Sequence, residues 1–253
     1  MVETGGGAIA VRCAGEGPKT VVFVSNLAED GTTGWQSSTV PDAIARETRA
    51  CVYDRPGLGA SRPSSTERTV PTQVVDLTAL VTMQALPAPL VLVGHRYGTF
   101  IVRQYAHDHV RDVAGMVLVD PPLELLDLTA PAGLTPGQQA EYDSVAGIDA
   151  DLGAYGAGKL PPPPAPTIVL GAGDLAALPA TVPPGGPTVA TAAAKPPAED
   201  GETRRGGQGQ LARKSPFGSF QAIEDAGSYI QFWKPAAVVD AITKVLHDPR
   251  SPR

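Results

Sequence analysis

Much that would place a chain quickly is missing from this one. The N-terminal stretch MVETGGGAIAV has no positive region and no apolar run of useful length, so it does not read as a secretory leader. No apolar run approaches the roughly 18 residues that span a bilayer, and a cytoplasmic protein is the expectation. Basic excess is absent too: 20 Lys and Arg stand against 26 Asp and Glu, a net charge of −6, with the acids scattered rather than clustered. That balance argues against nucleic acid or an anionic membrane as partner. Only two cysteines, Cys13 and Cys51, occur in 253 residues. Both lie in short apolar stretches and read as free, buried, small hydrophobes rather than as a disulfide framework. No Cys or His spacing points to a metal, and no cofactor is expected.

What is present is a rhythm. The segments AIAVRC (8–13), TVVFV (20–24), ACVYD (50–54), LVLVG (90–94), GMVLVD (115–120) and TIVLG (167–171) are short and almost continuously apolar, as buried parallel strands are. Helical patterns lie between them. Over 71–86, Val74, Leu77, Leu80 and Val81 share a face behind a leading proline; over 235–246, Val238, Val239, Ile242, Val245 and Leu246 do the same. Strand and helix in alternation predict one α/β domain spanning 1–253, a mostly parallel sheet with helices on both faces.

Two stretches interrupt that rhythm. Residues 121–166 and 175–206 are rich in Pro, Gly and Ala with little periodicity. The first has room for a small cap over the C-terminal strand edge, its helix expected within 135–148, and the second reads as a flexible excursion.

The turn VGHRYG (93–98), the segments YDRPGLGAS (53–61) and AGMVLVDPP (114–122), and the end EDAGSYIQFWKPAAVVDAI (224–242) occur in an order that resembles the α/β-hydrolase fold family. The likeness is to its small esterase, lactonase and epoxide-hydrolase branch. In that family a Ser or Asp on a strained strand-to-helix turn is the nucleophile, a C-terminal His its base, and an Asp or Glu orients the His. The resemblance puts Arg96 at the nucleophile position and Ser228 at the base position; Asp174, after TIVLG, or else Asp120 is the acid. Ser25 and Asn26 fall at the oxyanion motif. The backbone N–H groups of Leu27 and Tyr97 are the implied oxyanion donors, the second at a helix start where the dipole favours negative charge.

Arginine is no acyl nucleophile, so hydrolysis through an acyl-enzyme is not expected. An Arg96–Asp174 ion pair filling the space of the lost triad is the structural expectation. The functional one is a cationic pocket in which Arg96 polarises an oxygen and Asp174 or Asp120 accepts a proton. Trp35, Tyr97, Tyr229 and Asn26 are further ligand-binding candidates, whereas Glu29 and Asp30 read as solvated loop carboxylates.

Three functions follow, in order of preference. The first is a tailoring enzyme of bacterial secondary metabolism, in keeping with the Ala, Gly, Pro and Arg usage of a high-GC genome. It would cyclise, isomerise, eliminate, form a C–C bond or open an epoxide on a hydrophobic, polyketide-like small molecule. The second is a catalytically inactive small-molecule binding or sensor protein. The third is residual hydrolysis by an Asp-activated water.

Overall fold

The structure, a computed structural model, describes residues 1–4, 7–122, 130, 132–146, 164–173 and 201–251. A short antiparallel hairpin, β1 (Val2–Thr4) and β2 (Gly7–Ile9), leads into β3 (Val11–Ala14). Then follow β4 (Thr20–Val24), α1 (Val40–Ala45), β5 (Arg49–Tyr53), α2 (Val70–Met83), β6 (Leu90–His95), α3 (Gly98–Asp108), β7 (Val113–Val119) and α4 (Pro136–Ala146). The described chain closes with β8 (Thr167–Ala172), α5 (Gly201–Arg213), β9 (Gly218–Ile223), α6 (Ile230–Trp233) and α7 (Pro235–Leu246).

Strands β3 to β9 form one seven-stranded sheet in the order β3-β5-β4-β6-β7-β8-β9, parallel except for β3. The period of two along each strand feeds two cores. Val22, Val24, Leu90 and Leu92 face the side packed by α2 and α3, and Val21, Phe23, Val91 and Val93 the side packed by α1 and α7. Helix α2 starts where the sequence places it, because the Thr69 hydroxyl caps the Thr72 N–H and Pro71 occupies the first turn. Helix α4 lies inside the window expected for a cap helix, and α5 takes the last six residues of the 175–206 stretch.

Cys13 and Cys51 are joined by a disulfide, which corrects their reading as free hydrophobes. They are register partners across the antiparallel β3–β5 pair, a relation that a separation of 38 residues does not reveal. Reduction is expected to lower the unfolding free energy by about 3 kcal/mol, since the bridge restricts the unfolded chain. Urea titrations with and without dithiothreitol check this, and superimposable curves would count against it.

Strand order reverses at β4, which lies between β5 and β6, so connections leave in opposite directions and open a crevice at the C-terminal strand ends. The loop after β4 and the turn after β6 form its two walls.

Candidate functional site

The turn after β6 is tight because two glycines make it so. A Cβ on Gly94 would lie 2.8 Å from the Gly98 carbonyl oxygen, and one on Gly98 would lie 2.5 Å from that of Val24. Between them Arg96 adopts φ +45°, a left-handed conformation that arginine rarely takes, fixed by its N–H to Val119 O and its carbonyl to Thr99 N. Asp120, at the end of the neighbouring β7, also has φ +45°, and its N–H bonds Leu170 O. Both side chains are thereby aimed from adjacent strand ends into the same crevice.

They meet there. Arg96 Nη1 donates to Asp120 Oδ2 at 3.2 Å and to Ser228 Oγ at 3.0 Å, so three positions far apart in sequence form one hydrogen-bonded group. Arg204, from α5, is a member that the sequence reading missed: its Nη1 lies 3.7 Å from Asp120 Oδ2, and its Nη2 donates to the carbonyls of Ala172 and Gly173. The Gln208 amide, one turn on, donates to Asp120 Oδ1 at 3.0 Å, and the Ala172 N–H also reaches that oxygen. Burial raises the Asp120 pKa, but Arg204, Arg96 and the Ser228 and Gln208 hydrogen bonds outweigh it, so the carboxyl lies below its ordinary value. Its oxygens are already engaged, and a lowered pKa makes it a weaker proton acceptor than an ordinary carboxylate. Asp174 lies outside the described residues, and Arg96 finds its carboxylate partner in Asp120.

Beneath this group lies a second polar layer. Glu29, expected on the surface, is buried: Tyr229 donates its hydroxyl to the Glu29 carboxylate, and His95 Nδ1 stands 3.8 Å from it. Burial raises the Glu29 pKa, yet the His95 ring, the Tyr229 hydroxyl and the Asn26 amide more than offset it and hold the group below its ordinary value. His95 Nε2–H donates to the Ser228 carbonyl at 2.9 Å, which ties the lower layer to the backbone of the upper. Tyr229 is thus a structural partner of Glu29.

The remaining candidates are placed plainly. Trp35 is fully buried against Phe23 in one core cluster, and the Leu27 side chain belongs to the opposite one. The ring of Tyr97 is buried, with its hydroxyl accepting from Gln73 and the Arg55 guanidinium 5.8 Å over its face. The Tyr97 N–H, implied as an oxyanion donor, points at Asn26 Oδ1, 3.3 Å away.

The cap is anchored by a cluster the sequence reading also missed. Arg55, from the segment YDRPG, makes a bidentate pair with Glu141 of α4 at 2.7 and 2.8 Å, both side chains fully buried. Arg55 also donates to the carbonyls of Ser25 and Asn26, and Glu141 accepts from Ala28 N–H. Loop 25–28 is therefore gripped by one charge from the body and one from the cap. Tyr142, the next residue on α4, is buried in the core cluster on the α2 and α3 side, and that burial raises its pKa.

A strand-end crevice with a strained turn at its centre, on a mostly parallel sheet flanked by helices, defines an α/β scaffold of the hydrolase kind. A family model described as the alpha/beta hydrolase fold matches residues 19–144. The chain has the alpha/beta hydrolase fold, as its sequence resemblance implies. A thermophilic esterase from Thermogutta terrifontis superposes with a TM-score of 0.69 at 18% identity, over 94% of this chain and 92% of that one. A putative lipase from Acinetobacter baumannii gives 0.72 at 15% identity, over 94% and 87%. Likeness at such identity bears on the fold alone. An uncharacterized Bacillus subtilis protein, YqjL, is 34% identical over 104 residues, a stretch covering 41% of this chain and 40% of that protein. Among the described residues no helix is long and apolar enough to cross a membrane, and no cluster of His, Cys, Asp or Glu could hold a metal ion.

Proposed function

We propose that this protein acts on a hydrophobic small molecule without forming an acyl-enzyme, using the Arg96 guanidinium as an electrostatic group. One observation carries the reading: Arg96 makes both of its side-chain bonds through Nη1, so Nε and Nη2 have no partner among the described residues, and the side chain keeps 21% exposure in the crevice. A cation held from behind by Asp120 and open in front is suited to stabilise negative charge developing on a substrate oxygen. Such a group supports cyclisation, isomerisation, elimination, C–C bond formation or epoxide opening, in which the substrate supplies its own nucleophile. A polyketide-like metabolite of bacterial secondary metabolism fits that chemistry.

A second reading, a binding or sensor protein on the same scaffold, is favoured by the engagement of Asp120, whose oxygens are held by Arg96, Arg204 and Gln208 and whose lowered pKa makes it a weak proton acceptor. One experiment separates the two. Wild type and Arg96→Ala are incubated with small-molecule extracts of a high-GC bacterium and with p-nitrophenyl esters as the hydrolysis control, then followed by isomer-resolving chromatography with mass detection. A new product formed catalytically by wild type alone, without ester turnover, supports the enzyme. Stoichiometric retention of one metabolite with no product supports the binder, and rapid ester turnover by both proteins would overturn both readings.

A further inference from the structure

Hydrolysis of an ester or lactone needs more than a nucleophile; it needs N–H donors standing free where the carbonyl oxygen gains charge. In this family the residue after the turn position supplies one such donor, which here is the Tyr97 N–H. It is not free: the side-chain carbonyl of Asn26 lies 3.3 Å from it, in a buried setting. Asn26 is held firmly in that role. Its amide end helps to neutralise Glu29, which Tyr229 holds from the other side, and its backbone carbonyl accepts from Arg55 at 2.6 Å. Both ends of the side chain and the main chain are thus fixed, so the amide oxygen occupies its place as a built part of the site.

We propose that Asn26 is an internal occupant of the oxyanion site, which excludes acyl substrates independently of the side chains at 96 and 228. The Asn26 oxygen takes the hydrogen bond that a substrate carbonyl would accept. An incoming ester would have to displace a pre-placed intramolecular acceptor that loses no translational freedom on binding. With the Tyr97 N–H taken, the cationic donor on this turn that faces the crevice is the Arg96 guanidinium, which is left to meet a bound oxygen. The inference does not depend on what Arg96 does catalytically.

Two measurements test it. In the otherwise native protein, nitrogen-15 NMR reads the exchange rate of the Tyr97 amide. It is expected to be protected in wild type and to exchange about tenfold faster in Asn26→Ala, the change for a lost hydrogen bond worth about 1.4 kcal/mol. An unprotected Tyr97 amide in wild type, or equal rates in the two proteins, would overturn the proposal even if no other variant folds. The second uses p-nitrophenyl acetate with Arg96→Ser/Ser228→His and with the same pair plus Asn26→Ala. Asp120 already lies in hydrogen-bond contact with this group, and the triple variant is expected to release p-nitrophenol roughly 100-fold faster, the value of one oxyanion donor. Equal rates, including two equally inactive proteins, would count against Asn26.

Discussion

Replacing Glu141 with alanine is expected to lower the unfolding free energy by about 3–5 kcal/mol, the cost of stranding one member of a fully buried ion pair. Arg55 keeps its bonds to the carbonyls of Ser25 and Asn26 in that variant, but its charge loses the only carboxylate bound to it among the described residues. The double variant Arg55→Met/Glu141→Met is expected to lose much less than the sum of the single changes, because well-packed apolar residues need no partner. Urea denaturation of wild type, Arg55→Met, Glu141→Met and the double variant closes the cycle, with Glu141→Ala measured beside them. A loss below about 1 kcal/mol in Glu141→Ala would mean that the pair behaves like a solvated one and does not clamp the cap. Hydrogen exchange gives the local counterpart: loop 25–28 should open faster in Glu141→Ala, since the Ala28 N–H loses its acceptor.

Asp120→Ala is the second change of that size. It leaves the guanidiniums of Arg96 and Arg204 facing one another with nothing between them, and a loss of about 3–5 kcal/mol follows from the same rule. Arg96→Ala, by contrast, removes a side chain with part of its surface in water and leaves Asp120 paired with Arg204, so its effect on stability should be near 1 kcal/mol. The two variants thus separate scaffold from site, with Asp120 mattering more for folding and Arg96 more for the ligand. The pH dependence has a definite sign. Because the folded Asp120 lies below the unfolded value of about 3.9, its contribution is present above that pH and is lost as pH falls through the folded pKa. Wild type should therefore lose stability on acidification below about pH 4 more steeply than Asp120→Asn. Parallel pH curves for the two would remove Asp120 from the account.

The sheet was readable in the sequence because its inner strands are apolar on both faces, and runs such as LVLVG admit few other environments. β9 was not, since GSFQAI alternates polar and apolar residues at a sheet edge and carries no continuous run. The family resemblance put Arg96, Ser228 and Asp174, or else Asp120, at one site; the structure joins Arg96, Asp120 and Ser228 by hydrogen bonds, and Asp174 lies outside the described residues. Long-range partners left no such trace. Arg204 lies in a Gly-rich stretch, RRGGQGQ, that looks like linker, and Glu29 and Glu141 look solvated until the fold encloses them. Charge pairing across 86 residues, like the disulfide between β3 and β5, is a property of the packed chain and has no local period to detect.

The left-handed backbone at Arg96 and Asp120 bears on how this molecule could be improved or spoiled. Each such residue holds about 1–3 kcal/mol of conformational strain that the surrounding sheet must sustain. At Arg96 a glycine would relieve it at the loss of a partly exposed side chain, whereas at Asp120 the lost carboxylate would cost more than the strain relieved. Selection for thermal robustness alone would therefore tend to erode Arg96 while keeping Asp120, a conflict between durability and the role proposed for the guanidinium, seated at one strand end.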